Sequence, residues 1–384
     1  MIQAELSELS DRGLRRTLRT IDSPQEAYVT INGRRLCCLC SNNYLGLANH
    51  PRVRAAAVRA IDEWGWGAGA SRLVSGHMGP HADLEARLAA FKRTPAALVF
   101  PTGYHANLAA VRALAGRDDA VFLDRLDHAS IIDAARGSKA ELRVFAHRDY
   151  GELERLLEAA AGFRRRVIVT DTLFSMDGDF ADLPRLVELK RRYDAILIVD
   201  EAHATGVFGA GGRGLAEQMN VEDAIDVCVG TLSKALGGIG GYVAGSRELI
   251  DLLINVAGPF IFTTALPPAA CAAAAAALDL VIGEPDRRRR LLETAERLRA
   301  ELTQRCGLDL GGSTSQIIPV IVGEADAAMR LSQRLEQAGF LIPAIRPPSV
   351  PRGGSRLRIS LSCAHDPADL ERLVSWFERN PMSR

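Results

Sequence analysis

The sequence predicts an α/β fold with a mostly parallel central sheet and a small C-terminal α+β domain. Short apolar runs rich in β-forming residues recur through residues 96–244, and helix-like segments follow most of them. Alternating strands and helices of this kind form a mostly parallel sheet covered by helices. From about residue 284 a long charged helix followed by short strands predicts the smaller domain.

The first elements are a helix, a hairpin and the strands of the large sheet. A charged helix is predicted at about residues 4–20, and alternation over residues 27–39 with Asn32-Gly33 at its centre predicts a hairpin. Apolar residues on one stripe predict a helix at residues 81–93. The large sheet is predicted to take its strands from residues 96–100, 120–123, 143–145, 167–170, 195–199, 227–229 and 241–244.

The remaining elements form the C-terminal part of the chain. Strands are predicted at residues 315–322, 340–345 and 355–361, and a closing helix runs to Phe377. The proline-rich residues 346–351 predict a rigid loop, because proline cannot join a strand ladder. We therefore expect three parts, namely an N-terminal helix and hairpin (1–50), a large α/β domain (51–283) and a small α+β domain (284–384).

The composition is that of an ordinary globular protein, with 384 residues of which 47% are hydrophobic. Lys plus Arg total 47 and Asp plus Glu total 47, so no basic excess favours nucleic acid or an anionic membrane. We read no secretory signal, and the longest apolar stretch, residues 267–282, is shorter than the roughly 20 residues of a membrane span. Seven scattered cysteines indicate reduced thiols, and we expect a cytoplasmic enzyme.

Two groups of residues resemble metal ligands, but we expect no metal site. Cys37, Cys38 and Cys40 lie on a predicted strand, where adjacent side chains point to opposite faces, and no second ligand pair follows at finger-like spacing. His77 and His81 are separated by Gly and Pro, which prevent a helical ligand pair.

Asp200 and Lys234 are the main candidates for chemistry. Asp200 ends an apolar run, which places its carboxylate at the carboxyl end of a buried strand, where open α/β sheets bind ligands. Lys234 follows the predicted strand at 227–229, among hydroxyl residues and glycines. Each alone is also compatible with a structural role. Together they fit pyridoxal phosphate, which needs a carboxylate at its ring nitrogen and a lysine that holds its aldehyde as an imine.

Other polar groups follow neighbouring strand ends. Residues 101–107 open a predicted helix whose free amides would suit a phosphate, although a plain strand-to-helix turn explains them equally well. His128, Ser175 and His203 lie beyond three further strands. A lone histidine is usually structural, but polar groups at four strand ends indicate one pocket.

Two nucleotide-binding patterns are incomplete. Residues 230–234 lack the full phosphate-loop spacing, and the glycines of residues 65–69 do not open a helix as a dinucleotide fingerprint does. In the predicted strand at 355–361, Arg356, Arg358 and Ser360 share one face. This face is either a solvated edge or presents an arginine that binds a substrate carboxylate in a forked geometry.

These motifs resemble the α-oxoamine synthase family of fold-type I pyridoxal-phosphate transferases, which share the aspartate-aminotransferase-like fold, over essentially the whole chain. Family motifs occur in family order at residues 41–47 (SNNYLGL), 124–130, 174–179, 200–206 (DEAHATG), 231–234 (TLSK) and 261–268. The proline-rich motif at 344–351, with Ser349 in place of the usual threonine, is most similar to the biotin-pathway branch.

The resemblance implies a role for individual residues. Lys234 would be the imine lysine and proton-transfer base, Asp200 would lie at the ring nitrogen and His128 would stack on the ring. Ser175 and His203 would contact the phenolic oxygen. The phosphate would be bound by Gly103, Tyr104, Thr231 and Ser233, with Thr263 or Thr264 reaching across a homodimer interface. Substrate would be bound by Asn42 and Arg358 at the amino-acid carboxylate and by Arg15, Arg346 and Ser349 at the acyl group.

The implied reaction condenses L-alanine with a pimeloyl thioester of coenzyme A or acyl carrier protein and releases carbon dioxide. Sibling reactions would use the same catalytic residues: glycine with acetyl-CoA or succinyl-CoA, or serine with a long-chain acyl thioester. A protein of this fold that only binds a cofactor is a further alternative. The residues leave open which of Arg346 and Arg356 contacts substrate.

Overall fold

A computed structural model describes residues 1–11 and 14–382 of the chain. The strands are β1 (Tyr28–Ile31), β2 (Arg34–Cys38), β3 (Ala96–Phe100), β4 (Asp119–Asp124), β5 (Glu141–Phe145), β6 (Arg165–Asp171), β7 (Ile196–Asp200), β8 (Val227–Thr231), β9 (Gly241–Gly245), β10 (Ile317–Gly323), β11 (Phe340–Leu341), β12 (Ala344–Ile345) and β13 (Ser355–Ser360).

The α-helices are α1 (Ile2–Asp11), α2 (Pro51–Trp64), α3 (Gly79–Lys92), α4 (Gly103–Leu114), α5 (Ala129–Ser138), α6 (Tyr150–Glu158), α7 (Leu183–Arg192), α8 (Leu215–Gln218), α9 (Arg247–Val256), α10 (Gly258–Ile261), α11 (Pro268–Gly283), α12 (Asp286–Gln304), α13 (Ala325–Gln337) and α14 (Pro367–Arg379). No single helix within 1–11 and 14–382 has the length and apolarity of a membrane span; α11 and α12 reach both only as a pair bent by 72°.

The larger of two compact units comprises residues 50–175 and 180–288. It holds a seven-stranded sheet in the order β3-β9-β8-β7-β6-β4-β5. The pairings among β8, β7, β6, β4 and β5 are parallel, and β9 runs antiparallel to both of its neighbours. The predicted mostly parallel sheet and its seven strands are confirmed.

The sheet is buried because helices cover it, as the near-continuous apolar strands predicted. Every residue of β3, β4 and β9 is buried. Helix α4 packs into the same apolar core through small residues such as Ala106, Ala109 and Ala110. This packing holds the first turn of α4 beside the carboxyl ends of the parallel strands.

Gly230 shows how tightly β8 is held against β9. It lies opposite Tyr242, and a Cβ added at Gly230 would lie 2.3 Å from the Tyr242 ring. Because Tyr242 is fully buried, Gly230→Ala is expected to lower the free energy of unfolding by about 1–3 kcal/mol through overpacking. Urea denaturation measures this loss. The matched variant Gly283→Ala, at the end of α11 and with open space around its Cβ, should unfold like the wild type; equal midpoints for both variants would contradict the prediction.

The smaller unit comprises residues 1–49, 176–179 and 289–384, within the described part of the chain. It contains two three-stranded sheets, β1-β2-β11 and β10-β13-β12. The predicted hairpin is confirmed, with positive φ angles of 50° at Asn32 and 72° at Gly33 in its turn. Strand β13 is central in its sheet and buried along its whole length, so the alternative of a solvated edge is wrong.

Two predicted elements differ from the structure. The N-terminal helix was expected at about 4–20, but α1 ends at Asp11 and residues 14–27 are not helical; residues 12 and 13 lie outside the described part of the chain. The strand expected at 340–345 is two short strands, β11 and β12. Pro343 lies between them and has no N–H to donate to a continuous ladder.

Candidate active site

Four neighbouring strands of the large sheet carry polar residues at one edge. In the order β8-β7-β6-β4 they pair in parallel, so their carboxyl ends lie side by side. Lys234 follows β8, Asp200 ends β7, Ser175 follows β6 and His128 follows β4. Asp171 and Asp200 are direct cross-strand neighbours. The fold thus brings these predicted residues to one edge.

Lys234 and His203 are in direct contact. The Lys234 Nζ lies 2.8 Å from Nε2 of His203, which is buried in the turn that follows β7. Lys234 itself is half-buried. An amine held at hydrogen-bond distance from an imidazole, with part of its surface open, can bind a carbonyl carbon and exchange a proton.

Asp200 is buried and accepts hydrogen bonds on both carboxylate oxygens. Its Oδ1 accepts the N–H of Ala202 at 2.8 Å, and its Oδ2 accepts from Nδ2 of Asn107 at 2.7 Å. Both donors are neutral, so they stabilise the carboxylate without neutralising it. Asp200 is therefore suited to bind a further cationic N–H group strongly.

His128 lies just before α5 and is held through its backbone N–H and through Nδ1 of its imidazole. Its N–H donates to Oδ2 of Asp171 at 2.7 Å, and its Nδ1 accepts the backbone N–H of Ser130 at 3.2 Å. Although the side chain is exposed, desolvation by the surrounding protein lowers the pKa of His128. The negative charge of Asp200 raises this pKa, and the positive charge of Lys234 lowers it. These effects shift the imidazole of His128 toward its neutral form.

Asp127 and Asp171 are two buried carboxyl groups at this sheet edge that the sequence interpretation did not single out. Asp127 Oδ1 accepts from the Thr170 hydroxyl at 3.0 Å and from the Asp171 N–H at 2.9 Å, which ties the loop after β4 to β6. Burial raises the pKa of both carboxyls. The charge of Asp171 raises the pKa of Asp127 further, and the charge of Asp200 does the same for Asp171. Asp171, like Asp200, ends an apolar strand, and that signal was available.

The first turn of α4 and the end of β8 lie close together and carry polar groups. The Thr102 hydroxyl caps α4 by accepting the N–H of His105 at 3.2 Å, and Gly103 begins the helix. A Cβ at Gly103 would lie 3.3 Å from Cβ of Thr231, so the two backbones approach closely. The Thr231 and Ser233 hydroxyls are 2.6 Å apart. Helix N-terminal amides beside hydroxyls bind phosphate well.

These features fit pyridoxal phosphate. The site offers a partly open amine at Lys234, an un-neutralised carboxylate at Asp200 and a phosphate cradle at Gly103 and Thr231. Tyr104, in the first turn of α4, directs its hydroxyl to Asp133 at 2.5 Å, so only its backbone is placed for the phosphate. The Lys234 amine, the Asp200 carboxylate and the polar groups of α4 and β8 would suit the aldehyde, the ring nitrogen and the phosphate of the cofactor.

Thr263 and Thr264 lie between α10 and α11 of the large unit. Thr264 forms an isolated antiparallel bridge with Ser71, and Phe262, next to Thr263 in the chain, is 86% exposed. Thr263 is half-buried. Their predicted role from a second subunit therefore stays a prediction.

In the smaller unit, Asn42 and Arg358 are brought together. Oδ1 of Asn42 lies 3.4 Å from both terminal nitrogens of Arg358, and Nη1 of Arg358 donates to the Ser360 hydroxyl at 2.7 Å. Arg356 instead pairs with Asp177 at 2.6 Å. Of the two arginines on this face of β13, Arg356 is therefore held by an internal ion pair, whereas Arg358 has only neutral partners in these bonds.

The residues predicted for the acyl group lie in the N-terminal segment and in the proline-rich loop after β12. Arg346 and Ser349 share a turn, in which the Ser349 N–H donates to the Arg346 carbonyl at 3.1 Å. Arg15 is exposed, and its guanidinium donates to the Ser10 hydroxyl at 3.5 Å. The role of these three residues toward an acyl substrate stays a prediction.

Comparison with known proteins gives a consistent family. The model of the aminotransferase class I and II family matches residues 35–377. The 8-amino-7-oxononanoate synthases of Geobacter sulfurreducens and Citrifermentans bemidjiense are 54% and 49% identical, with 98% of this chain and 97% and 96% of the relatives covered.

Solved structures agree. The serine palmitoyltransferase of Sphingomonas wittichii has a TM-score of 0.93 at 35% identity, covering 98% of this chain and 96% of that one. An 8-amino-7-oxononanoate synthase of Francisella tularensis has a TM-score of 0.78 at 28% identity, covering 90% and 97%. The fold-type I prediction is confirmed, and the chain belongs to the α-oxoamine synthases, a pyridoxal-phosphate-dependent family within the class I and II aminotransferases.

Proposed function

We propose that this chain is an acyltransferase that condenses L-alanine with a pimeloyl thioester of coenzyme A or acyl carrier protein, as an 8-amino-7-oxononanoate synthase of biotin biosynthesis. The products are 8-amino-7-oxononanoate, carbon dioxide and the free thiol of the carrier. The observation that carries the proposal is the Lys234 amine held beside His203 at the sheet edge that also bears Asp200. Full-length relatives with this name favour the alanine and pimeloyl substrates.

The residues of the chain divide the work of the reaction. Bound pyridoxal phosphate supplies an aldehyde for covalent attachment and a ring that accepts an electron pair. Lys234 is the residue that would hold the aldehyde through Nζ, and its amine, once free, would serve as the base for the Cα proton of alanine. The carboxylate of Asp200 would pair with the ring nitrogen and favour its protonated form. His203, at 2.8 Å, orients Lys234 Nζ between these tasks.

Arg358 and Asn42 are proposed to bind the carboxylate of the amino acid. Arg358→Met is expected to raise KM for L-alanine by about 10- to 100-fold, because a charge-assisted hydrogen bond to the carboxylate is lost. Steady-state kinetics at saturating thioester measure this. Arg330→Met, at an exposed position on α13, is the matched control and should leave KM unchanged. An unchanged KM in Arg358→Met would remove Arg358 from the binding site.

We propose that the enzyme is a cytoplasmic homodimer in which Thr263 or Thr264 reaches the cofactor phosphate of the second subunit. Large apolar side chains of the same unit are exposed, including Trp66 at 72% and Phe262 at 86%, and a second copy would cover them. All seven cysteines are free, in keeping with a reducing compartment. Sedimentation velocity distinguishes a dimer from a monomer, and a monomer would contradict this part of the proposal.

The function is tested with purified, cofactor-loaded protein. L-alanine, glycine and L-serine are each combined with pimeloyl-CoA, acetyl-CoA, succinyl-CoA and palmitoyl-CoA, and thiol release and product mass are measured. We expect turnover with L-alanine and pimeloyl-CoA. Turnover only with serine and palmitoyl-CoA would assign the activity named for the Sphingomonas structure, and no thiol release with any pair would contradict an acyltransferase.

A further inference from the structure

Asn107 connects two residues of the candidate active site. It lies on α4, is 1% exposed, and its Nδ2 is 2.7 Å from Oδ2 of Asp200 and 2.9 Å from the Ser130 hydroxyl. The Ser130 hydroxyl in turn is 2.8 Å from Nδ1 of His128. A continuous chain of hydrogen bonds therefore runs from the carboxylate of Asp200 to the imidazole of His128.

Asp200 fixes the direction of the two Asn107 bonds. A carboxylate only accepts, so the amide group that faces it is the NH₂ of Asn107, and its two hydrogens go to Asp200 and Ser130. The Ser130 oxygen accepts one of them, and the hydroxyl lies within hydrogen-bond distance of Nδ1 of His128. The Ser130 backbone N–H is directed at the same nitrogen. Nδ1 is therefore an acceptor, and the proton of the neutral imidazole is on Nε2.

We propose that Asn107 is a positioning residue that orients Asp200 and, through Ser130, holds His128 as the neutral Nε2–H tautomer. The inference rests on the proposed roles of Asp200 and His128 around the cofactor. An uncharged imidazole on the ring face does not compete with Asp200 for control of the ring-nitrogen proton, and a neutral amide donor leaves the full charge of Asp200 available.

The charged groups around His128 agree with this arrangement. Asp200 at the end of β7, Lys234 after β8 and Asp133 on α5 act on it electrostatically, and the desolvation that lowers the pKa of His128 outweighs the two carboxylates. The Asn107 Oδ1 is buried and has no hydrogen-bond partner among the described residues. The orientation of the amide is thus set entirely by its NH₂ contacts to Asp200 and Ser130.

The test uses holoenzyme in four forms: wild type, Asn107→Leu, Ser130→Ala and the control Asn255→Leu. Asn255 is exposed on α9 and bonds only locally, to the Asp251 carbonyl. Two-bond ¹H–¹⁵N spectra of [¹⁵N]histidine-labelled protein report which ring nitrogen carries the proton, and His128→Gln identifies the signal. The dissociation constant of pyridoxal phosphate is measured by equilibrium dialysis.

We expect the Nε2–H tautomer in wild type and Asn255→Leu, and a mixture of tautomers in Asn107→Leu and Ser130→Ala. Asn107→Leu should also raise the cofactor dissociation constant about tenfold or more, since a hydrogen bond to a buried charge is lost. Ser130→Ala leaves the hydrogen bond between Asn107 and Asp200 in place and should change the cofactor dissociation constant less. It also tests the tautomer if Asn107→Leu does not fold.

A proton on Nδ1 in wild type, or wild-type tautomer and affinity in both variants, would overturn the inference. Neither the tautomer of His128 nor the cofactor dissociation constant depends on the thioester substrate. A failure of the proposed function is therefore detected separately, in the substrate assay.

Discussion

Replacing Lys234 with arginine is expected to abolish condensation. Guanidinium remains protonated in proteins, so it neither attacks a carbonyl carbon nor removes a Cα proton. The loss of a positioned base alone lowers a rate by about 10²–10⁴-fold, and the loss of covalent attachment adds to this. The experiment measures thiol release with L-alanine and pimeloyl-CoA, together with the protein mass after borohydride reduction, which shows whether the cofactor is covalently retained.

Lys139→Arg is the control for this variant. Lys139 is exposed, lies beyond the end of α5 and has a φ of 68°, a conformation that arginine adopts at the same cost as lysine. It should retain wild-type activity and the wild-type adduct mass. An adduct that persists in Lys234→Arg would mean that another lysine holds the cofactor, and the proposed role of Lys234 would be wrong.

Replacing Asp200 with asparagine is expected to lower kcat by about 10²–10³-fold, the range found when a preorganised electrostatic group is removed from an active site. The amide has no charge with which to hold a proton on the ring nitrogen, and an unprotonated ring is a poorer electron sink. Oδ1 of the new side chain would still accept the Ala202 N–H, so the local backbone is expected to persist. Stopped-flow and steady-state kinetics with L-alanine measure the change.

The matched substitution Asp251→Asn, at an exposed position on α9, should leave kcat unchanged. Thermal unfolding of both variants separates loss of structure from loss of chemistry. If Asp200→Asn folds, binds cofactor and keeps wild-type kcat, Asp200 does not control the ring nitrogen, and the assignment of the site must change.

Local sequence patterns were sufficient to predict the strands of the large sheet and to place the candidate site at one of its edges. Continuous apolar runs predict buried parallel strands, and a charged residue directly after such a run emerges at the sheet edge where ligands bind. Asp200 ends such a run, Lys234 follows the next strand among hydroxyl residues and glycines, and the family resemblance implied roles for His128 and His203. The end of α1 at Asp11 and the interruption between β11 and β12 at Pro343 are two places where local patterns predicted longer elements than the structure has.

What the sequence pattern could not give is the set of contacts between distant segments. Asn107 is 93 positions from Asp200, and Arg356 is 179 positions from Asp177. Whether such side chains meet depends on strand register and on the rotation of a helix against the sheet, which many sequence segments decide together. The sequence pattern therefore placed Arg356 and Arg358 on one face of a strand. The tertiary structure pairs Arg356 with the carboxylate of Asp177 and sets Arg358 beside the neutral Asn42. The two arginines differ because packing places a negative charge next to only one of them in these contacts.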